Sequence, residues 1–259
     1  MHPRLFQFGH IAVPTYGALT ALGLVAALAA AMYFARRLSL DANKVWNLCL
    51  IGILTTLIDA RLLLVITHFS EFRVHPFWVL GLVNQQSLWI MPVGILIGLA
   101  AALLYAAAEG LAALRVLDCI APAVAIFLAI NRIGAFVAGV DYGRPTQLPW
   151  GVTYTSLFSA LWYRTPLGLP LHPVQLYDAA ASVLILGVLL WWLPRRTQDG
   201  ELAGIWLFLY GMASFTIGLY RADSRVLLEA LAIVGVIAGG VLWLHRPESQ
   251  PSPANAQPG

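Results

Sequence analysis

The sequence predicts an all-α polytopic membrane protein, a bundle of about seven transmembrane helices, and three observations carry that reading. Hydrophobic residues make up 60% of the 259-residue chain and charged residues only 10%, against about 25% charged in an ordinary soluble domain. Apolar blocks of roughly 20 residues, the length needed to cross a hydrocarbon core, recur along the chain. Those blocks are near-continuous Ala, Leu, Ile, Val and Gly, unlike the short alternating strands of an outer-membrane barrel.

The first block, residues 13 to 34, follows the opening MHPRLFQFGHIA. No small-residue cleavage site followed by a polar mature domain comes after it, so a retained span is expected rather than a signal peptide. Further blocks lie at 45 to 67, 88 to 108, 117 to 137, 175 to 193, 202 to 219 and 226 to 244. Residues 1–246 are therefore expected to form a single transmembrane domain. The remainder, PESQPSPANAQPG at 247–259, has the composition of a disordered tail. No internal repeat is visible, which argues against an inverted-repeat transporter.

Charge placement sets the expected orientation. Arg36, Arg37 and Lys44 lie between blocks one and two, Arg115 between three and four, Arg195 and Arg196 between five and six, and Arg246 after the last. The opposite side carries Arg4, Arg73, Arg144, Arg164, Arg221 and Arg225, so it is the two arginine doublets that favour an N-terminus outside and a cytoplasmic C-terminus. The longest connection, 138–174, then faces outward, with Trp150, Tyr154, Trp162 and Tyr163 as interfacial anchors. The net charge of +3 reads as anchoring and topology: no basic arm or aromatic-basic interleaving suggests a nucleic-acid partner. Cys49 and Cys119 sit in or beside apolar blocks at a spacing that suggests neither a disulfide nor a metal site.

Ionisable groups inside spans are functional candidates because hydrocarbon penalises them. Asp59 and Arg61, in LIDARL, lie within block two; two positions apart on a helix, they point in different directions. Near the end of block four Arg132 presents a planar guanidinium whose fixed donors match a phosphate. The segment GVDYGRPTQLPWG follows it, where Gly143 permits close approach and Arg144 lies in the loop. In LHPVQLYD, Pro173 can open the fifth helix. His172 reads as a general base or as a tether of the loop. Asp178, one turn beyond Gln175, is placed to accept from an arginine on the outer side.

RIGAFVAGVDYGR, from Arg132 to Arg144, resembles the central signature of the prolipoprotein diacylglyceryl transferase family. The order of further fragments reinforces the resemblance: Phe8 with Tyr16 and Gly17, DARL at 59–62, Pro149-Trp150-Gly151, HPVQLY ending at Tyr177, and Tyr210-Gly211. The resemblance implies an enzyme of the bacterial inner membrane with no cofactor and no metal. Its substrates are implied to be an anionic phospholipid, phosphatidylglycerol, and a prolipoprotein signal peptide, whose lipobox cysteine receives the diacylglyceryl group. By position, Tyr16, Arg61, Arg132, Gly143 and Arg144 match residues the family retains, and Arg221 matches its later arginine. These six are the expected headgroup-binding residues, with Asp59, Gln175, Tyr177 and Asp178 supporting them.

The chain also departs from the pattern, as a divergent member lacking several of the family's catalytic residues would. Two asparagines of the signature are Ala135 and Ala138, and its glutamate is Val140. The histidine-bearing stretch of the third helix is QSLWIMPVG here, from Gln86 to Gly94. The Arg-Phe-Ile-Val-Glu pattern of the sixth helix is SFTIG, from Ser214 to Gly218. Asp141 and His172 are accordingly the expected replacement bases for thiol attack. A paralogue acting on another lipid or acceptor, and a non-catalytic lipid-binding protein, stand as alternatives.

Overall fold

The computed structural model describes residues 3–8, 11–74, 90–223 and 226–244. Arg225, Arg246, the tail from 247, and residues 86–89, which include the start of the third block, lie outside them. In chain order the elements are β1 (Arg4–Phe8), β2 (Ile11–Pro14), α1 (Thr15–Arg37), α2 (Ala42–Thr67), α3 (Phe69–Val74), α4 (Ile90–Ala108), α5 (Ala113–Ala138), β3 (Val152–Thr153), α6 (Leu157–Tyr163), β4 (Pro170–Leu171), α7 (Val174–Trp192), α8 (Glu201–Gly218) and α9 (Val226–Leu244). The long helices coincide with the predicted apolar blocks. Five of them, α1, α2, α5, α7 and α8, are long and apolar enough to cross a membrane. The apolar stretches of α4 and α9 are shorter, Pro92–Ala108 and Leu228–Leu244.

The helices begin and end where local chemistry dictates. Asp41 caps α2, accepting from the amides of Asn43 and Lys44 at 2.8 and 3.4 Å, while Arg36 and Arg37 fall in the last turn of α1, where cations oppose the helix dipole. Pro173 stands at the start of α7, as its locked φ and missing N–H favour. α5 lies at the centre, against α1, α7 and α8, while α2 pairs with α4 and α8 with α9. The buried face of α5 is mostly small: Ala121, Ala123, Ala125, Ala129, Gly134, Ala135 and Ala138. Small faces let backbones approach closely when lipid tails remove any hydrophobic drive between helices.

The outer faces carry Ile66, Leu104, Leu184 and Val226, each about 70% exposed or more. Exposure of that much leucine and isoleucine is stable only in an apolar solvent, and the bilayer supplies one.

The connection from 139 to 173 is folded rather than open, since it holds α6 and the antiparallel β3–β4 pair. Gly143 bridges to Arg221 and Pro145 to Leu171, both antiparallel. Further bonds run from Arg144 N to Tyr220 O at 2.8 Å, from His172 N to Arg144 O at 3.0 Å and from Thr146 N to Pro170 O at 2.9 Å. The segments 220–222, 142–146 and 170–171 thus lie side by side as a small sheet over the ends of α5, α7 and α8.

Candidate functional site

The site is built on the C-terminal end of α5, where a helix leaves its last carbonyls without intrahelical partners. Gly139 adopts φ 85°, and the amides of Gly139 and Val140 turn back to Ala135 O at 2.9 and 2.8 Å, a Schellman-type ending. Side chains of the connection and of the first turn of α7 complete the cap. The Tyr154 hydroxyl donates to Phe136 O at 3.2 Å, Ser159 Oγ to Ala138 O at 2.8 Å, Thr165 Oγ1 to Gly139 O at 2.8 Å and Gln175 Nε2 to Val140 O at 2.7 Å. Burial pushes the Tyr154 phenol up to about 12, which keeps it a neutral donor. Six residues before the last residue of α5 stands Arg132.

Arg132 is the hub of a charged cluster. Its Nε lies 2.7 Å from Asp178 Oδ2 on α7, and its Nη1 donates to Asp141 Oδ2 at 3.1 Å. Arg221 Nη2 reaches the same Asp141 oxygen at 3.2 Å, and Arg221 Nε lies 3.6 Å from Asp223. Asp141 therefore stands between two guanidiniums. Its backbone is left-handed, φ 53°, a region that Asp tolerates better than most L residues. Such strain is kept where surrounding contacts over-determine it, here the two guanidiniums. Asp178 is 4% exposed, so its carboxylate meets Arg132 out of contact with solvent.

The other predicted residues divide into groups. Arg144 is exposed and donates from Nε to Arg221 O at 2.9 Å, fastening the small sheet beside the cluster. A side chain at Gly143 would collide with the His172 backbone and Val174, so this glycine permits the strand contact. The His172 ring lies 5.1 Å from that of Tyr220, and its Nδ1 is 3.5 Å from the Tyr177 hydroxyl. Tyr177 in turn accepts from Trp150 Nε1 at 2.8 Å. None of the described contacts joins His172 to Arg132 or Asp141. Gln175 is 2% exposed and supports the cap. Tyr16 meets Tyr163 edge-on at 6.4 Å, at the same end of the bundle, since Thr20 of α1 accepts from Asn131 Nδ2 at 2.9 Å. Asp59 and Arg61 lie on α2, which packs chiefly on α4 and α1, and Asp59 Oδ2 is buried without a hydrogen-bond partner.

Sequence reasoning missed several members. Tyr210 of α8 interacts with both Arg132 and Asp178 and stacks on Trp206 at 5.3 Å. At the other end of α5, Asp118 is fully buried. It accepts from Arg196 Nη1 at 2.8 Å and from the amides of Gly200 and Ala203 at 2.8 and 2.9 Å. A carboxylate inside a predicted span was the available signal for Asp118. Among the described residues, no group of three or more His, Cys, Asp or Glu is placed to hold a metal ion.

Comparison with known proteins decides what kind of molecule carries this cluster. A family model described as prolipoprotein diacylglyceryl transferase matches residues 3–245. The chain belongs to the prolipoprotein diacylglyceryl transferase family. Similar relatives include proteins named phosphatidylglycerol–prolipoprotein diacylglyceryl transferase. That of Clostridium tetani is 28% identical over 87% of each chain; that of Pseudoalteromonas translucida is 28% identical over 96% of this chain and 94% of its own. A third, from Nostoc, is 25% identical over 94% of this chain and 89% of its own.

As a transferase-family fold, the chain accommodates its departures locally. Ala135 and Ala138 are both fully buried, facing packed protein. Gly218, where the family pattern carries glutamate, faces Glu229 of α9: a β-carbon added there would lie 3.7 Å from Glu229 Cγ and 3.9 Å from its Oε1. A carboxylate from the neighbouring helix thus occupies that side of α8. Of the stretch QSLWIMPVG, 86–94, that stands where the family has its histidine-bearing segment, residues 86–89 lie outside the described residues and 90–94 open α4.

Proposed function

We propose that the protein transfers the diacylglyceryl group of phosphatidylglycerol to the lipobox cysteine thiol of a prolipoprotein. The observation that supports this most is Asp141 Oδ2 shared between Arg132 and Arg221 at 3.1 and 3.2 Å. Two guanidiniums oriented on one anionic oxygen form a ready receptor for a phosphodiester, whose oxygens present the same geometry. Arrival of the phosphate exchanges one anion for another and frees the carboxylate.

The exchange gives each group a role. The thiol sulfur attacks the glycerol carbon that bears the phosphate, forming the S–C bond. The C–O bond breaks, and glycerol phosphate leaves with the electron pair. Arg132 and Arg221 stabilise the charge that grows on the leaving phosphate, while the released Asp141 carboxylate takes the thiol proton. His172, held against Tyr177 and Tyr220, acts as a positioning residue for the loop. Tyr16, Gly143 and Arg144 frame the headgroup side, and Arg61 serves the entering lipid from α2. The protein is read as lying in the bacterial inner membrane with the cluster facing outward, in line with the arginine doublets.

The test uses purified protein in phosphatidylglycerol vesicles with a lipobox peptide, the products being weighed by mass spectrometry. A peptide heavier by one diacylglyceryl group, with equimolar glycerol phosphate, is the expected result. Lipid consumption without peptide modification would point to another acceptor, and headgroup binding without any turnover would overturn the enzymatic reading.

A further inference from the structure

We infer that the protein carries a second anion site at the opposite end of the bundle, one that holds the phosphodiester headgroup of an anionic phospholipid as a ligand rather than a donor. A cavity of about 670 Å³ opens there, lined by Arg37 and Phe34 of α1, Arg115 of α5, and Leu190, Leu193 and Arg196 at the end of α7 and beyond, among others. Along α5, Arg115 precedes Arg132 by seventeen residues, about 26 Å at 1.5 Å each. The two sites therefore face opposite leaflets.

The charges are arranged to leave this cavity positive. Asp199 grips Arg115 through Nε and Nη2 at 3.0 and 2.9 Å, and Arg196 is held by Asp118 at 2.8 Å and Asp199 at 3.2 Å. Neither Asp118 nor Asp199 is among the residues that line the cavity. Arg37 has no carboxylate partner among the described residues. Its Nε donates to the Tyr33 hydroxyl at 3.1 Å, and the guanidinium lies 5.3 Å from the Tyr33 ring centroid. Tyr33 thus aims a cation whose outer donors are unused.

The wall chemistry identifies the ligand class. Arg37, backed by the carboxylate-paired Arg115 and Arg196, selects a phosphate, whereas Phe34, Leu38, Leu190, Leu193 and Pro194 offer an apolar surface that a free inorganic anion would not use. A headgroup with its glycerol backbone satisfies both, and the volume lies within the range of small-molecule sites.

The experiment uses the full chain in nanodiscs and a phosphatidylglycerol analogue with a photoactivatable headgroup, the cross-linked peptides being mapped. Labelling of the 33–39 and 190–196 segments is expected, competed by unlabelled phosphatidylglycerol and not by phosphatidylcholine. Arg37→Gln should lower that labelling about 5- to 10-fold, the loss of one charge-assisted contact. Arg37→Lys should restore part of it, and unchanged labelling near Arg132 would show that the variant folds. Equal labelling of Arg37→Gln, or equal competition by phosphatidylcholine, would overturn the site. Competition by millimolar glycerol phosphate as strong as that by the lipid would overturn the lipid assignment in favour of a soluble phosphate ligand.

Discussion

Arg132 Nε and Asp178 Oδ2 stand 2.7 Å apart, joining α5 to α7 where Asp141 draws the same guanidinium from the loop side. One arginine thus fixes two helices and the turn between them, and a change there alters both the geometry and the charge of the cluster.

Arg132→Lys keeps the positive charge and loses the planar fork, so one ammonium cannot satisfy Asp178 and Asp141 as the parent does. Transfer activity is expected to fall about 10- to 100-fold, with weaker retention of phosphatidylglycerol at equal folded yield. Parent-like kinetics in vesicles would remove Arg132 from the site.

Asp141→Asn is a clean test of the base because asparagine also tolerates the left-handed φ of 53° at this position. Turnover should drop about 100-fold or more while lipid binding changes little. His172→Ala, which removes a ring lying on Tyr220 and Tyr177, is expected to cost less than the Asp141 change. A reversed ranking of the two kinetic losses would make His172 the base.

Asp118→Ala strips a fully buried carboxylate from Arg196 and from two amides at the start of α8. Breaking a buried pair on one side costs about 3–5 kcal/mol, so thermal unfolding in detergent should shift downward markedly. Adding Arg196→Met should recover part of the loss, since the guanidinium left with Asp199 as its remaining carboxylate is then removed. If the double variant is no more stable than the single one, the network is not organised around that pair.

Hydrogen bonding from Arg115 holds the Asp199 carboxyl below the usual carboxylate range. A depressed folded pKa means that the pair contributes its stability above the unfolded value near 3.8 and loses it as pH falls through the folded value. The contribution is small, about 1 kcal/mol at most for a partly exposed pair. Asp199→Asn should lower stability near neutral pH and match the parent at the acid extreme; an unchanged difference across both ranges would contradict the linkage.

For topology, Thr155→Cys and Asn43→Cys are introduced singly after replacing Cys49 and Cys119. In intact cells an impermeant thiol reagent should label the first and spare the second, because Asn43 lies beside the Arg36, Arg37 and Lys44 group. The opposite pattern would invert the orientation.

The sequence alone determined the class of molecule and the order of its parts. Long apolar blocks have one stable solution in hydrocarbon, helices that satisfy their own backbones, so the positions of α1, α2, α4, α5, α7, α8 and α9 were legible to within a few residues, whereas the short helices α3 and α6 were not. Arg132, Asp178 and Arg221 were legible as well, because charge or a signature position marks each of them out. What tertiary structure decided was pairing. Asp141 meets Arg132 and Arg221, nine and eighty residues away, since the left-handed turn at Gly139 and Asp141 carries its carboxylate back toward α5. Tyr154, Ser159, Thr165 and Gln175, up to 35 residues beyond the carbonyls they cap, come together only because the connection folds over the end of α5. Hydropathy is a property of neighbours along the chain, whereas hydrogen bonds and ion pairs depend on distances between segments that the chain order does not specify.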